Sequence, residues 1–191
     1  MPGKLVPVGI SARHVHVCQE HLDVLFGVGH KLTPYKDLYQ IGYYAAEETV
    51  DLVTAKGTLK KVRILGPERK TSQVEISRSD ALKLGISVPV RDSGDLDGSP
   101  PITLVGPRGS VTLPKGVIAA WRHIHMDPAD AAAFGVKDRA YVRVKCLNAT
   151  RPLIFENVLV RVLEGWLLEM HLDTDEANAA MLNNGDRVEI L

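Results

Sequence analysis

The segment 121–136, WRHIHMDPADAAAFGV, carries two histidines two residues apart, His123 and His125, directly ahead of a helix-start signal. Alternate residues of a β-strand share a face, so a strand here turns both imidazoles the same way. Read from His125, the chain runs His-Met-Asp-Pro-Ala-Asp-Ala. From His171 it runs His-Leu-Asp-Thr-Asp-Glu-Ala, from Glu75 Glu-Ile-Ser-Arg-Ser-Asp-Ala, and from His16 His-Val-Cys-Gln-Glu-His-Leu. One seven-residue frame thus occurs four times. Its first position is always a side chain able to ligate a metal, and its second is always apolar. Repetition of this kind marks a reused structural unit.

Of the seven histidines, His14, His16, His123, His125 and His171 stand in or just before the first position of a frame, and Glu75 holds that position in the remaining unit. Imidazole and carboxylate suit zinc and similar divalent ions. Six such groups are too many for one tetrahedral centre with an open position. Two metals, each with about three protein ligands and a free site, account for them better. The competing reading, histidines that satisfy core hydrogen bonds or cap helices, is kept for His21 and His30, which fall outside the ligand positions. Arg69 and Lys70 come shortly before Glu75, and RDSGDLDGSPP is a polar, glycine-rich run suited to wrapping an anion with backbone N–H groups. It is neither a Walker loop nor a Rossmann fingerprint. Metals, an arginine and open helix N-termini together point to an anionic substrate such as a phosphate.

These groups need elements to hold them. Ser77, Asp127 and Asp173 fill the third frame position and are good N-caps, with Cys18 the poorest match. Glu176 completes a capping box, Asp80 and Asp130 suit the positive helix end, and Pro128 falls at the first helical position. Short helices then run to Gly85, to Gly135, to Gly185 and to Gly27 or Gly29. Strand-like sequence precedes each frame, in VPVGISARHVHV, SQVEI, RHIHM and GWLLEMHL. Further strands are expected at ETVDLVTA, LKKVRILG, ITLVGP, SVTLP, AYVRVKCL, LIFENVLVRV and DRVEIL. The fold class is mainly β: two small β-barrels closed by short helices.

Composition narrows the function. Lys plus Arg and Asp plus Glu each number 23, and aromatics make up 5%, so the broad basic, stacking surface of a nucleic-acid binder is absent from the reading. No apolar run approaches the ~18 residues of a membrane span, and no secretory segment opens the chain. Two cysteines, Cys18 and Cys146, make no disulfide framework and suit a reducing cytoplasm.

Taken in order, VPVGISARHVHV, LTPYKDL, LGPERKTSQVEIS, PVRDSGDLDGSPPITLVGPRGSV, RHIHM, FENVLVRV and LEMHLDTDEANAA resemble the phosphate propanoyltransferases, phosphotransacylases associated with bacterial microcompartments. The resemblance runs from about residue 6 to the C-terminus. It implies interconversion of a short-chain acyl-CoA (propanoyl or acetyl) plus phosphate with acyl phosphate plus CoA. It implies two zinc ions per chain, or another divalent metal in their place, with His14, His16 and Glu75 on one and His123, His125 and His171 on the other. Arg69 matches the phosphate-binding arginine, and Ser93 looks like a further phosphate contact. Lys36, Arg63 and Asn178 look like CoA contacts. The implied domains are residues 4–12 with 121–191 as one barrel and 13–120 as the other, with the metal site between them. Two departures stand out: Cys18 at a cap position, and Met181 where a glycine-like residue is expected. No amphipathic targeting segment is read ahead of the first strand. The expected setting is cytoplasmic, inside a microcompartment, with shell or core enzymes as neighbours and a homodimer as the assembly.

The implied chemistry needs a phosphate oxygen to attack a thioester carbonyl while a thiolate leaves. A thiolate is a strong zinc ligand and a metal polarises a carbonyl, so no covalent enzyme intermediate is required. A dinuclear metallohydrolase of a phosphate or acyl ester would use the same ligands to activate water. A non-enzymatic binding barrel is the remaining competitor, and it would lack metal.

Overall fold

The computed structural model describes residues 3–147 and 150–191. The first half of the chain forms β1 (Lys4–Ser11), β2 (His14–His16), α1 (Gln19–Phe26), β3 (Pro34–Asp37), β4 (Tyr44–Val53), β5 (Thr58–Gly66), β6 (Gln73–Glu75) and α2 (Arg78–Leu84). The second half forms β7 (Val90–Arg91), β8 (Ile102–Val105), β9 (Ser110–Leu113), β10 (Val117–Ala120), β11 (His123–Met126) and α3 (Pro128–Phe134). It ends with β12 (Tyr141–Cys146), β13 (Ile154–Val162), β14 (Glu169–Asp173), α4 (Thr174–Ala180) and β15 (Arg187–Ile190). The protein is mainly β with four short helices.

Two compact units divide the chain. One joins the N-terminal segment through Ser11 to Trp121–Leu191, and the other is Ala12–Ala120. In the first, six strands close a barrel in the order β1-β14-β11-β13-β12-β15. β1 belongs there because Val6 and Val8, two apart on one face, pack among Ile124, Val144, Met170 and Val188. In the second, the order is β7-β10-β6-β2-β5-β4-β8-β9, with β3 beside β4. This nine-stranded sheet is a half-barrel rather than a closed one. Along β4, Ala46, Glu48, Val50 and Leu52 are buried at alternate positions, the period of a strand with one covered face.

The frame reappears as topology. Each frame strand has its sister as antiparallel neighbour, β2 beside β6 and β11 beside β14. On the other side each has a parallel neighbour: β5 for β2, β10 for β6, β13 for β11 and β1 for β14. Every frame strand then runs straight into its short helix.

The caps follow side-chain chemistry. Ser77 accepts from the Asp80 N–H, Asp127 from Ala129, and Asp173 from both Asp175 and Glu176. Glu176 reaches back to the Asp173 backbone, the expected capping box, and also takes Arg122 Nη1 at 2.5 Å. Asp80 does more than face a helix end: buried, it receives Arg13 Nε at 2.6 Å. Cys18 makes no side-chain cap, as a weak sulfur acceptor would not, and its own N–H goes to Ser72 Oγ at 2.9 Å. The helix ends at Gly27, Gly85 and Gly135 are as expected, but α4 stops four residues before Gly185. Met181 ends it in the left-handed region, φ 52°. Three strands were not read from sequence. β3 is exposed throughout, β7 has two residues, and β10 buries three of its four, so none shows an alternating pattern.

Candidate metal centres

Antiparallel register brings the candidate ligands together. Between β2 and β6, His14 lies opposite Glu75 and His16 opposite Gln73. Between β11 and β14, His123 lies opposite His171 and His125 opposite Glu169. Because positions two apart share a face, each pair of strands presents a polar quartet. Three members of each, His14 with His16 and Glu75, and His123 with His125 and His171, put one ligand atom apiece within 4.8 Å of one another.

The donor set fits a zinc-class ion. His14 Nδ1 is 2.9 Å from the Ala12 carbonyl and His123 Nδ1 is 2.7 Å from the Trp121 carbonyl. Both contacts place the proton on Nδ1 and leave Nε2 as a lone-pair donor, the usual way an outer partner fixes a ligating tautomer. His14 Nε2 accordingly lies 3.5 Å from Glu75 Oε2. Burial, with His14 and the Arg69 guanidinium nearby, pushes the His16 imidazole down to about 3. Burial opposes the charge on Glu75, but His14, His16, the Ser93 hydroxyl and Arg69 outweigh it and hold the carboxyl at about 2. Burial, then His123 and His171, lower His125 as well. All three groups therefore stand in the deprotonated form that a metal needs. Both ring nitrogens of His125 and Nε2 of His171 are buried with no hydrogen-bond partner. Such burial costs about 1–3 kcal/mol per group unless something fills the role, and a cation on the lone pair does so. The rings sit close: His123 stacks on His171 at 5.0 Å between centroids, and Trp166 covers His125 at 4.1 Å.

Arg69 and Ser93 join the first cluster. Arg69 Nη1 donates to Ser93 Oγ at 3.1 Å, and Ser93 Oγ donates to Glu75 Oε1 at 3.0 Å. The Arg69 N–H is itself fixed by the Val17 carbonyl at 2.8 Å, next to His16 in sequence. Thus the loop after β5 and the loop after β7 both reach the ligand strand. Arg63 on β5 lies opposite His14 in register; it donates to the Ala46 and Glu47 carbonyls and stacks over Tyr35 at 5.2 Å. Lys36, on exposed β3, and Asn178, exposed on α4, touch neither cluster among the described contacts. His21 contacts Ser72 Oγ at 2.7 Å and His30 contacts Glu48 at 2.8 Å, so both are tied to structure away from the triads.

Two residues were missed by reading the sequence. Gln73 donates to Glu75 Oε1 at 2.5 Å and to Ser93 Oγ at 2.7 Å, and its own oxygen accepts the Gly94 N–H. Glu169 Oε2 lies 2.9 Å from His171 Nε2, out of line for a hydrogen bond. The signal was present: extending the frame two places N-terminally gives His14, Gln73, His123 and Glu169, polar every time.

A barrel and a half-barrel, each with a histidine-rich triad on its repeated strand pair, define a protein built on one repeated unit that gathers candidate metal ligands. A family model for phosphate propanoyltransferase matches residues 7–183. The phosphate propanoyltransferase of Thermotoga maritima is 58% identical over 184 residues, 96% of this chain and 88% of that protein. Those of Lachnoclostridium phytofermentans and Salmonella typhimurium are each 52% identical, over 99% and 94% of this chain and 88% and 85% of their own. The chain belongs to the phosphate propanoyltransferase family, whose members are acyltransferases. Among the described residues no helix is long and apolar enough to cross a membrane.

Proposed function

We propose that this protein transfers a short acyl group, propanoyl or acetyl, between CoA and phosphate, using two zinc-class ions. The observation that carries the reading is the hydrogen-bonded chain Arg69–Ser93–Glu75, which ties a guanidinium to a metal triad. His14, His16 and Glu75 would hold one ion and His123, His125 and His171 the other. A bound ion of this class polarises a thioester carbonyl and accepts a thiolate. Arg69 offers a planar fork to a phosphate, and Ser93 fixes where that fork sits. Together they align a phosphate oxygen on the carbonyl carbon, which saves the entropy of a free encounter. The new bond is phosphate oxygen to carbonyl carbon. The bond broken is carbon to sulfur, and CoA leaves as the thiolate. In this reading Lys36 and Arg63 serve the anionic part of CoA, and Asn178 is a further contact. The two triads act in one reaction. The proposed setting is the cytoplasm within a bacterial microcompartment, as a homodimer.

The test is CoA release from propanoyl-CoA with and without phosphate. Phosphate-dependent release with equimolar acyl phosphate supports the reading. Release that ignores phosphate and yields the free acid would instead mark a metallohydrolase.

A further inference from the structure

The two Arg-His-x-His runs share more than their histidines. Arg13 directly precedes His14, and Arg122 directly precedes His123. Each arginine is the second residue after the chain passes from one compact unit to the other, at Ala12 in one case and at Trp121 in the other. Each reaches a carboxylate at the sixth position of the sister frame. Arg13 Nε donates to Asp80 Oδ2 at 2.6 Å, and Arg122 Nη1 donates to Glu176 Oε1 at 2.5 Å. Asp80 is the third residue of α2, and Glu176 is the third of α4. In both units, then, a charged hydrogen bond runs from the start of the first ligand strand to the helix that follows the second. One pair uses aspartate and the other glutamate, yet the link is the same.

The carbonyl just ahead of each arginine shows what the link holds. The Ala12 oxygen lies 2.9 Å from His14 Nδ1, and the Trp121 oxygen lies 2.7 Å from His123 Nδ1. Anchoring the arginine therefore anchors the peptide against which the next ring rests. The strands themselves are short, three residues in β2 and four in β11, so ladder bonds fix little of the chain on their own. A buried carboxylate such as Asp80 has a high desolvation cost unless it is paired. Lys83 Nζ also lies 3.3 Å from it, but Lys83 belongs to the same helix and ties it to nothing else. We infer that Arg13 and Arg122 are positioning residues, each tying the entry of its ligand strand to the sister helix. Each so sets where the histidines after it stand relative to Glu75 or His171 across the strand pair. The inference rests on the two-metal reading above, and it gives neither arginine a contact with an ion or a substrate.

The experiment isolates one centre at a time. His125→Ala, which keeps the first triad whole, and His14→Ala, which keeps the second, are each loaded with zinc and challenged with graded chelator. Added to His125→Ala, Arg13→Ala should weaken the remaining ion about 10-fold, the lower end of the loss on removing an outer partner. Arg122→Ala in that background should leave it unchanged. In the His14→Ala background the two effects should exchange. Arg13→Lys should restore most of the affinity, because an ammonium still reaches Asp80. Lys83→Ala should leave the ion as tightly held, although it removes the other cation beside Asp80. Should Arg13→Ala fail to fold, Asp80→Asn keeps the size of the side chain and should weaken the same ion. An ion held as tightly with Arg13→Ala as without it would overturn the inference. So would equal weakening by both arginine variants in one background, which marks a general loosening of the fold. Fewer than two ions in wild type would remove the two-metal reading and the inference with it, and that result is read before any variant is made.

Discussion

Arg69 stands one hydroxyl away from a candidate metal triad without belonging to it. That position separates two effects that usually fall together. Arg69→Ala should leave metal content near wild type, because Glu75 keeps its two histidines and Gln73. Turnover should fall about 100-fold, the scale of a misplaced reactant, with the loss expressed in phosphate use more than in CoA affinity. Arg69→Lys keeps the charge and loses the fork, so it should remain impaired. Steady-state kinetics with phosphate varied at saturating acyl-CoA measure both. The histidines divide in the same manner. His125→Ala should lose metal and activity together. His21→Ala removes a contact to Ser72, the residue that receives the Cys18 N–H, and should lower stability while leaving metal content intact. Equal metal loss in the two variants, measured by elemental analysis, would contradict this division.

At the scale of elements, the strand–ligand–cap–helix unit explains how so short a chain builds two candidate centres. A three-residue strand cannot place a ligand alone, but flanked by a parallel and an antiparallel neighbour it is fixed on both sides. The helix after it then needs a firm stop. Gly85 and Gly135 adopt the left-handed region freely, whereas Met181 does so at φ 52° with a side chain. Met181→Gly should therefore raise the unfolding free energy, by about 1 kcal/mol, the lower end of the left-handed penalty for an L-residue. Chemical denaturation of the two proteins checks it, and an unchanged or lower midpoint would refute it. This position also marks the reach of the sequence. The frame exposes all six triad residues, three of the four caps and three of the four helix ends, because ligand chemistry, N-capping and glycine are local signals. The fourth helix end was hidden because a methionine there carries no such signal. The strands β3, β7 and β10 were hidden because exposure throughout, shortness or burial on both faces erases the period-two pattern. Gln73 and Glu169 were hidden only by reading the frame from its ligand onward.

At the scale of the whole molecule, duplication accounts for both the symmetry and its breaking. Each unit has its own core, with Leu22, Leu52 and Ile64 in one and Ile124, Met170 and Leu172 in the other. Each pairs its frame strands in the same register. Yet one triad includes a carboxylate next to an arginine, and the other is all imidazole against Trp166. Such a difference would suit two ions with unequal tasks in the proposed reaction. The pairing makes a stoichiometric demand that a single-metal enzyme does not. Metal-free protein titrated with zinc, with phosphate-dependent CoA release followed at each addition, tests it directly. Activity should climb to its plateau at two equivalents per chain. A plateau reached at one equivalent would contradict the account.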